Sequence, residues 1–384
     1  MKAADWHLAL PTGLSGLGLL ITLILGFWMA RRPKMPFVLL PGFISCAVCL
    51  GMIVSPRSLW FFFFLGLFNL FETITRPAIT AIIRTNYPVA TRGLVTGRLR
   101  QWSAGLFLAS ALGTAQVLDR SGSWAVIQVI LLTAATLQVG AYIAFSFIRV
   151  QPESADIDEE ASEQDLWTFA QSTSVTLRQD SRFLRYLSGC FLHGVSALTY
   201  DPIVRAYFSN EFGFNYTQCV LLVDFLPSVC SVLTVGYLGA WFDRTNPLVA
   251  WTFIRAAWGL DPLLLALAPS YPAGSLPIAL AARISRGSVM NGSWVLGWQL
   301  ATNYFARRRE LTSVYMACYL TVTGIQRLIG PPLGALLLGV FSRREVLFIG
   351  GFFVMLSSLH AWRQAASERI DGRYPTFADK ESDV

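Results

Sequence analysis

Long apolar runs alternate with short polar breaks along the whole chain. The runs cover residues 12–30, 36–54, 59–83, 101–118, 124–148, 186–208, 216–240, 248–268, 277–303, 313–340 and 345–362. Each has about 18 residues or more, enough to cross a hydrocarbon core of about 30 Å at 1.5 Å per residue. A single segment in lipid has to satisfy its backbone polar groups internally, so each run is predicted to be a helix. The expected fold class is therefore an all-α polytopic membrane protein with eleven transmembrane helices in two bundles.

The breaks set the organisation. Residues 1–149 form an N-terminal bundle of five spans, 150–185 an acidic linker, 186–364 a C-terminal bundle of six spans, and 365–384 a tail. The linker opens with Glu153, Asp156, Asp158, Glu159, Glu160, Glu163 and Asp165, a like-charge run expected to stay solvated. Its later part, with Leu166, Trp167 and Phe169 followed by Arg178, Arg182 and Arg185, reads as an amphipathic stretch on the membrane surface.

Composition agrees with this reading. Of the 384 residues, 54% are hydrophobic and 14% charged, whereas soluble domains carry about 25% charged residues. The formal charge of +7 does not imply nucleic acid, because the basic residues sit in short loops and act as topology signals. Arg31, Arg32, Lys34, Arg84, Arg92, Arg98, Arg100, Arg244, Arg307, Arg308 and Arg309 fall on one face, with Lys2, Arg57, Arg120, Arg343 and Arg344 on the other. The richer face is predicted to be cytoplasmic, along with the linker and the C-terminus, in a multi-pass protein of the cell membrane. His7, His193 and His360 lie far apart, and Cys46 and Cys49 read as two buried thiols on one helix face. Neither metal nor cofactor is expected. No phosphate-binding GxxxxGK[ST] loop occurs, which disfavours direct use of ATP.

The halves repeat. Thr85, Asn86, Tyr87, Arg92, Leu94 and Gly113 match Thr302, Asn303, Tyr304, Arg309, Leu311 and Gly330, and Gly26, Trp28 and Arg31 match Gly239, Trp241 and Arg244. Such internal symmetry is common in secondary transporters. Extended backwards, the alignment puts the partner of the sixth span before Met1, so one helix fewer is expected in the first half.

Three motifs carry a family resemblance. Gly239-Ala-Trp-Phe-Asp243-Arg244 is similar to the loop signature between the second and third helices of a bundle in the major facilitator superfamily. Thr323-Gly324-Ile325-Gln326-Arg327-Leu328-Ile329-Gly330-Pro331-Pro332-Leu333-Gly334 resembles that family's eleventh helix, and Arg205-Ala-Tyr-Phe-Ser-Asn-Glu211-Phe-Gly213-Phe its turn from the seventh to the eighth. The resemblance implies two bundles, a small-molecule substrate bound within the bilayer, and a monomer. There are departures. Ala30 replaces the acidic residue of the first-half loop, and the fifth helix, Gly105-Leu-Phe-Leu-Ala109-Ser-Ala-Leu-Gly113, lacks the Gly-Pro signature of the family's exporters.

Ionisable residues inside spans are the functional leads, because a charge at a helix centre costs at least about 2.5–3.5 kcal/mol in lipid. Glu72 lies deep in the third span with Arg76 one turn on, and Asn69 and Thr80 extend the stripe. Glu72 is read either as a proton-coupling group or as half of a static ion pair with Arg76. Asp224, on a stripe with Ser228 and Ser231 and followed by Pro227, is the second coupling candidate. Arg76, Arg286 and Arg327 outnumber these acids, so a carboxylate- or phosphate-bearing substrate would balance them; alternatively the arginines pair internally. Asn69, Trp294 and Tyr200 complete the substrate-binding candidates. Asp201-Pro202 and Asp261-Pro262 are read as helix interruptions. Gly239, Asp243 and Arg244 are gating candidates, and the stripes Gly105/Ala109/Gly113, Gly236/Ala240 and Gly330/Gly334 are expected where the halves meet.

The chain is thus expected to be a proton-coupled secondary transporter that alternates access between two bundles, with protons and a small solute as partners, an organic anion being the solute that the buried arginines would suit. A non-transporting receptor or inactive shortened member is the alternative. A membrane enzyme is disfavoured, since no nucleophile with a base and no paired carboxylates beside a metal are visible.

Overall fold

The computed structural model describes residues 7, 9–30, 32–55, 58–87, 89–150, 171, 175, 180–292, 304–305 and 312–370. The described residues form helices and short turns, without a strand. The chain divides into two units, Met1–Ala170 and Gln171–Val384.

The first unit contains α1 (Ala9–Ala30), α2 (Pro36–Ile53), α3 (Ser58–Asn86), α4 (Val89–Ser121) and α5 (Trp124–Ser146). Pro36 opens α2, where its missing N–H is an orphan anyway. Ser123 caps α5 by accepting from the Val126 amide at 3.4 Å. Helix α3 packs against both α1 and α2, and α5 lies along α2.

The second unit contains α6 (Ser181–Tyr200), α7 (Val204–Glu211), α8 (Tyr216–Val220), α9 (Leu226–Arg244), α10 (Pro247–Leu267), α11 (Ser275–Gly292), α12 (Thr312–Leu338) and α13 (Arg343–Ile370). A capping box between Asn215 and Gln218 starts α8, and Asn246 followed by Pro247 starts α10. Helix α6 packs on α12 and α13, α10 on α13 and α11, and α9 on α11. Hydroxyls fasten neighbouring helices: Thr234 donates to the Ser288 carbonyl at 2.6 Å, Ser285 to Ala257 at 2.8 Å and Ser358 to Thr252 at 2.6 Å. At one end of the unit, Arg182 grips Glu368 through two hydrogen bonds of 3.1 and 2.7 Å, while Tyr315 donates to Asp180 at 2.7 Å.

Among the described residues, six helices are long and apolar enough to span a bilayer. Large apolar side chains stand exposed along them, with Leu40 at 66%, Val129 at 62% and Tyr237 at 82%. In water such surfaces are a liability; against lipid tails they are the solvated face.

Two expectations need correction. Asp261-Pro262 does not interrupt its helix, since Pro262 lies inside a continuous α10. By contrast, Asp201-Pro202 does end α6, in a 3-10 turn over Asp201–Ile203. The Gly330/Gly334 stripe is committed within its own unit: a Cβ at Gly330 would lie 2.6 Å from Cβ of Leu198, and one at Gly334 would overlap the Thr199 carbonyl. Those glycines let α12 and α6 touch backbone to backbone. Gly105, Gly113 and Gly236 face open space. The ninth span, expected over 277–303, is described only as far as Gly292, and the acidic part of the linker lies outside the described residues.

Candidate functional site

In the first unit, Glu72 projects from α3 toward α2 and α5. Its Oε1 accepts hydrogen bonds from Ser45 Oγ at 3.0 Å, Gln138 Nε2 at 2.7 Å and Tyr142 OH at 2.8 Å. Gln138 also donates to Ser45 Oγ at 3.0 Å, so four side chains from three helices form one net. Gly42 makes room for it: a Cβ there would sit 2.7 Å from Cδ1 of Tyr142. Arg76 takes no part. It is exposed on α3, and no ion pair joins it to Glu72 among the described residues. The static Glu72–Arg76 pair is thereby set aside, and a carboxylate solvated by three neutral donors takes its place. Asn69, on the same helix, is half-buried, and its carbonyl accepts from Thr73 at 2.7 Å.

In the second unit a charge cluster lies between α10, α11 and the end of α6. Asp261 and Arg283 are in direct contact, with their side chains 0% and 1% exposed. Arg286 reaches Asp201 at 2.5 Å and Asp261 at 3.6 Å. Phe208 lies 5.9 Å from the Arg283 guanidinium and Trp258 4.8 Å from that of Arg286. Two cations and two anions balance, so the substrate candidate Arg286 already has its counterions. Tyr200 is fully buried beside α13, where Gly350 accommodates its ring.

The coupling candidate Asp224 sits in a π-turn, Leu221–Phe225, between α8 and α9. The Leu226 amide bonds the Leu221 carbonyl five residues back. Pro227 explains the wide turn: it has no N–H for the carbonyl four residues earlier, so the ladder slips by one. Asp224 pairs with Arg205 of α7 at 2.6 Å, and its main-chain carbonyl accepts from Ser228 Oγ at 2.6 Å.

A cavity of about 150 Å³ opens between α6, α10 and α12. Arg327 lines it, as do His193, Trp251, Arg255, Trp258 and Gln326. Arg255 is 1% exposed and escaped the sequence reading. The signal was there: Trp251, Arg255 and Trp258 share one face of α10 at spacings of four and three residues.

Of the gating candidates, Gly239 faces open space and Arg244 is exposed at the end of α9. The Asp243 side chain and the whole of Trp294 lie outside the described residues.

The sequence pattern of the Major Facilitator Superfamily matches residues 3–319. The chain belongs to the major facilitator superfamily. This superfamily member is also similar to a solved structure of a mutant of the nucleoside transporter NupG, at a TM-score of 0.75 and 12% identity over 94% of this chain and 91% of that one. A second NupG structure aligns over the same shares at a TM-score of 0.66. At that identity the likeness concerns the fold. No curated protein matches the sequence. Family and fold together make the chain a multi-pass membrane transporter rather than an enzyme.

Proposed function

We propose that this transporter moves a small organic anion across the cell membrane by proton-coupled alternating access between its two bundles. The carrying observation is Glu72, a carboxylate within a span whose partners are Ser45, Gln138 and Tyr142 rather than a fixed cation. A charge inside a span with no fixed counter-ion calls for a mobile one, and a proton is the smallest that can serve. Glu72 is therefore the primary coupling group. Asp224 is the secondary candidate, and its part would be to hold and release Arg205 as the bundle moves.

Two arginines support an anionic substrate. Arg327 lines the cavity of the second unit and Arg76 is exposed on α3, while Arg286 contributes to the neutral cluster that fixes α11. Asp243 and Arg244 would close one mouth against helix ends. The linker and C-terminus lie on the cytoplasmic side, and a monomer suffices.

Flux into proteoliposomes, with and without an imposed pH gradient, tests this reading in the parent and in Glu72→Gln. Gradient-driven uptake in the parent and its loss in the variant are expected; equal gradient stimulation in both would remove Glu72. NupG is named for nucleosides, which are uncharged, so uridine joins the competition panel. Competition by uridine but by no carboxylate would replace the anion reading. Binding without any flux would favour a receptor.

A further inference from the structure

The second unit contains a buried guanidinium that its surroundings leave without an anion. Arg255 of α10 donates from Nη1 to the Ser357 carbonyl at 3.1 Å and from Nη2 to Cys190 Sγ at 3.2 Å. Both acceptors are uncharged, and thiol sulfur is a weak one. Its Nε has no partner, and no carboxylate lies within ion-pairing distance of it among the described residues. A buried cation in such a setting is costly to keep. By contrast, Arg283 and Arg286, in the same unit, each have an aspartate.

The cavity beside it has further idle donors. The indole N–H groups of Trp251 and Trp258 are buried and unpartnered, and Nδ1 of His193, a donor in one of its two tautomers, is unpartnered as well. Buried donors left unpaired in a native structure call for an explanation. The walls are flat: Trp251 lies 5.1 Å from the Arg255 guanidinium, and His193 meets Trp258 edge-on at 5.7 Å. A volume of about 150 Å³ is the size that admits a single six-membered ring in an apolar cavity.

We infer that this cavity, lined by Arg255, His193, Trp251 and Trp258 and lying within the second unit, binds a small aromatic monocarboxylate. The carboxylate would pair with Arg255 and accept from the idle N–H groups, while its ring stacks between the tryptophans. The inference deepens the anion-transport reading by naming a substrate class, and rests on that reading only for the step from binding to flux. Close approach supports the site: a Cβ at Gly189 would lie 2.8 Å from Nη1 of Arg255, so glycine at that position lets the guanidinium sit beside α6.

The test is equilibrium binding of radiolabelled benzoate to the full chain in nanodiscs. Benzamide and cyclohexanecarboxylate serve as competitors, and thermal melting monitors the fold. Benzoate is expected to bind saturably, with benzamide at least ten-fold weaker for want of charge and cyclohexanecarboxylate several-fold weaker for want of a flat face. Arg255→Gln should weaken benzoate at least ten-fold and erase its advantage over benzamide. Arg255→Lys should recover part of the loss. No saturable benzoate binding, or equal affinity for benzoate and benzamide in the parent, would overturn the site without any variant having to fold. Benzoate binding without benzoate flux would keep the site and refute the transport reading. Proton-driven flux of another anion without benzoate binding would do the reverse.

Discussion

Tyr142 donates its hydroxyl to Oε1 of Glu72 across 2.8 Å, from a helix 70 residues further along the chain. With Gln138 one turn away on the same helix, it makes α5 the element that solvates the carboxylate of α3. A hydrogen bond to a charged group contributes about 1.5–3 kcal/mol. Tyr142→Phe should accordingly lower stability by that order in thermal melting. Glu72→Gln keeps an acceptor oxygen, so it should melt near the parent while losing gradient-driven uptake. A variant that melts like the parent and still responds fully to the gradient would exclude Glu72 from coupling.

The contact between Asp261 and Arg283 is the most deeply buried ion pair described. Removing one partner of such a pair costs about 3–5 kcal/mol, because the other charge stays behind in a dry site. Asp261→Asn is expected to destabilise the chain by that amount. Asp261→Leu combined with Arg283→Met should recover most of the loss. A double-mutant cycle in nanodiscs reads the coupling directly; additive effects would mean the two groups act independently.

Gly334 and Gly105 look alike in sequence and differ in surroundings. Gly334→Ala forces a methyl group against the backbone of Thr199, and overpacking of this kind costs about 1–3 kcal/mol. Gly105→Ala meets nothing in its own unit and should leave melting unchanged or raise it slightly, since alanine favours helix by about 1 kcal/mol. Equal melting losses in the two variants would contradict the assigned packing.

Pro227→Ala restores a donor to the ladder and should let the π-turn at Leu221–Phe225 relax to regular helix. That rotates Asp224 away from Arg205. Uptake is expected to fall several-fold with little change in melting, and crosslinking between cysteines placed at Arg205 and Asp224 should weaken. Unchanged crosslinking would mean that Pro227 does not set the turn.

Helix positions were legible because lipid leaves an apolar run little choice: eight of the eleven runs coincide with single described helices, some with longer ends, and two, 186–208 and 216–240, with pairs of helices joined by a turn. What the carboxylates touch was not legible. Arg76 stands four residues after Glu72, the spacing of a helical ion pair, yet the actual partners lie on α2 and α5 and no local pattern announces them. Asp261 reads as a helix interruption in the sequence, because an acid before proline suggests a break. Its partner Arg283 sits one span later, and only packing reveals that the two meet. Arg255 was missed as a lone cation among apolar neighbours, although its flanking tryptophans marked the face.

The double grip of Arg182 on Glu368 joins the first and last helices of the second unit, 186 residues apart. Gln364 reinforces it by donating to the Arg182 carbonyl at 2.9 Å. Stapled in this way, the two terminal helices of the bundle are pinned to each other at that end, so a pull on the start of α6 is handed on to α13 instead of drawing one helix out of its neighbours.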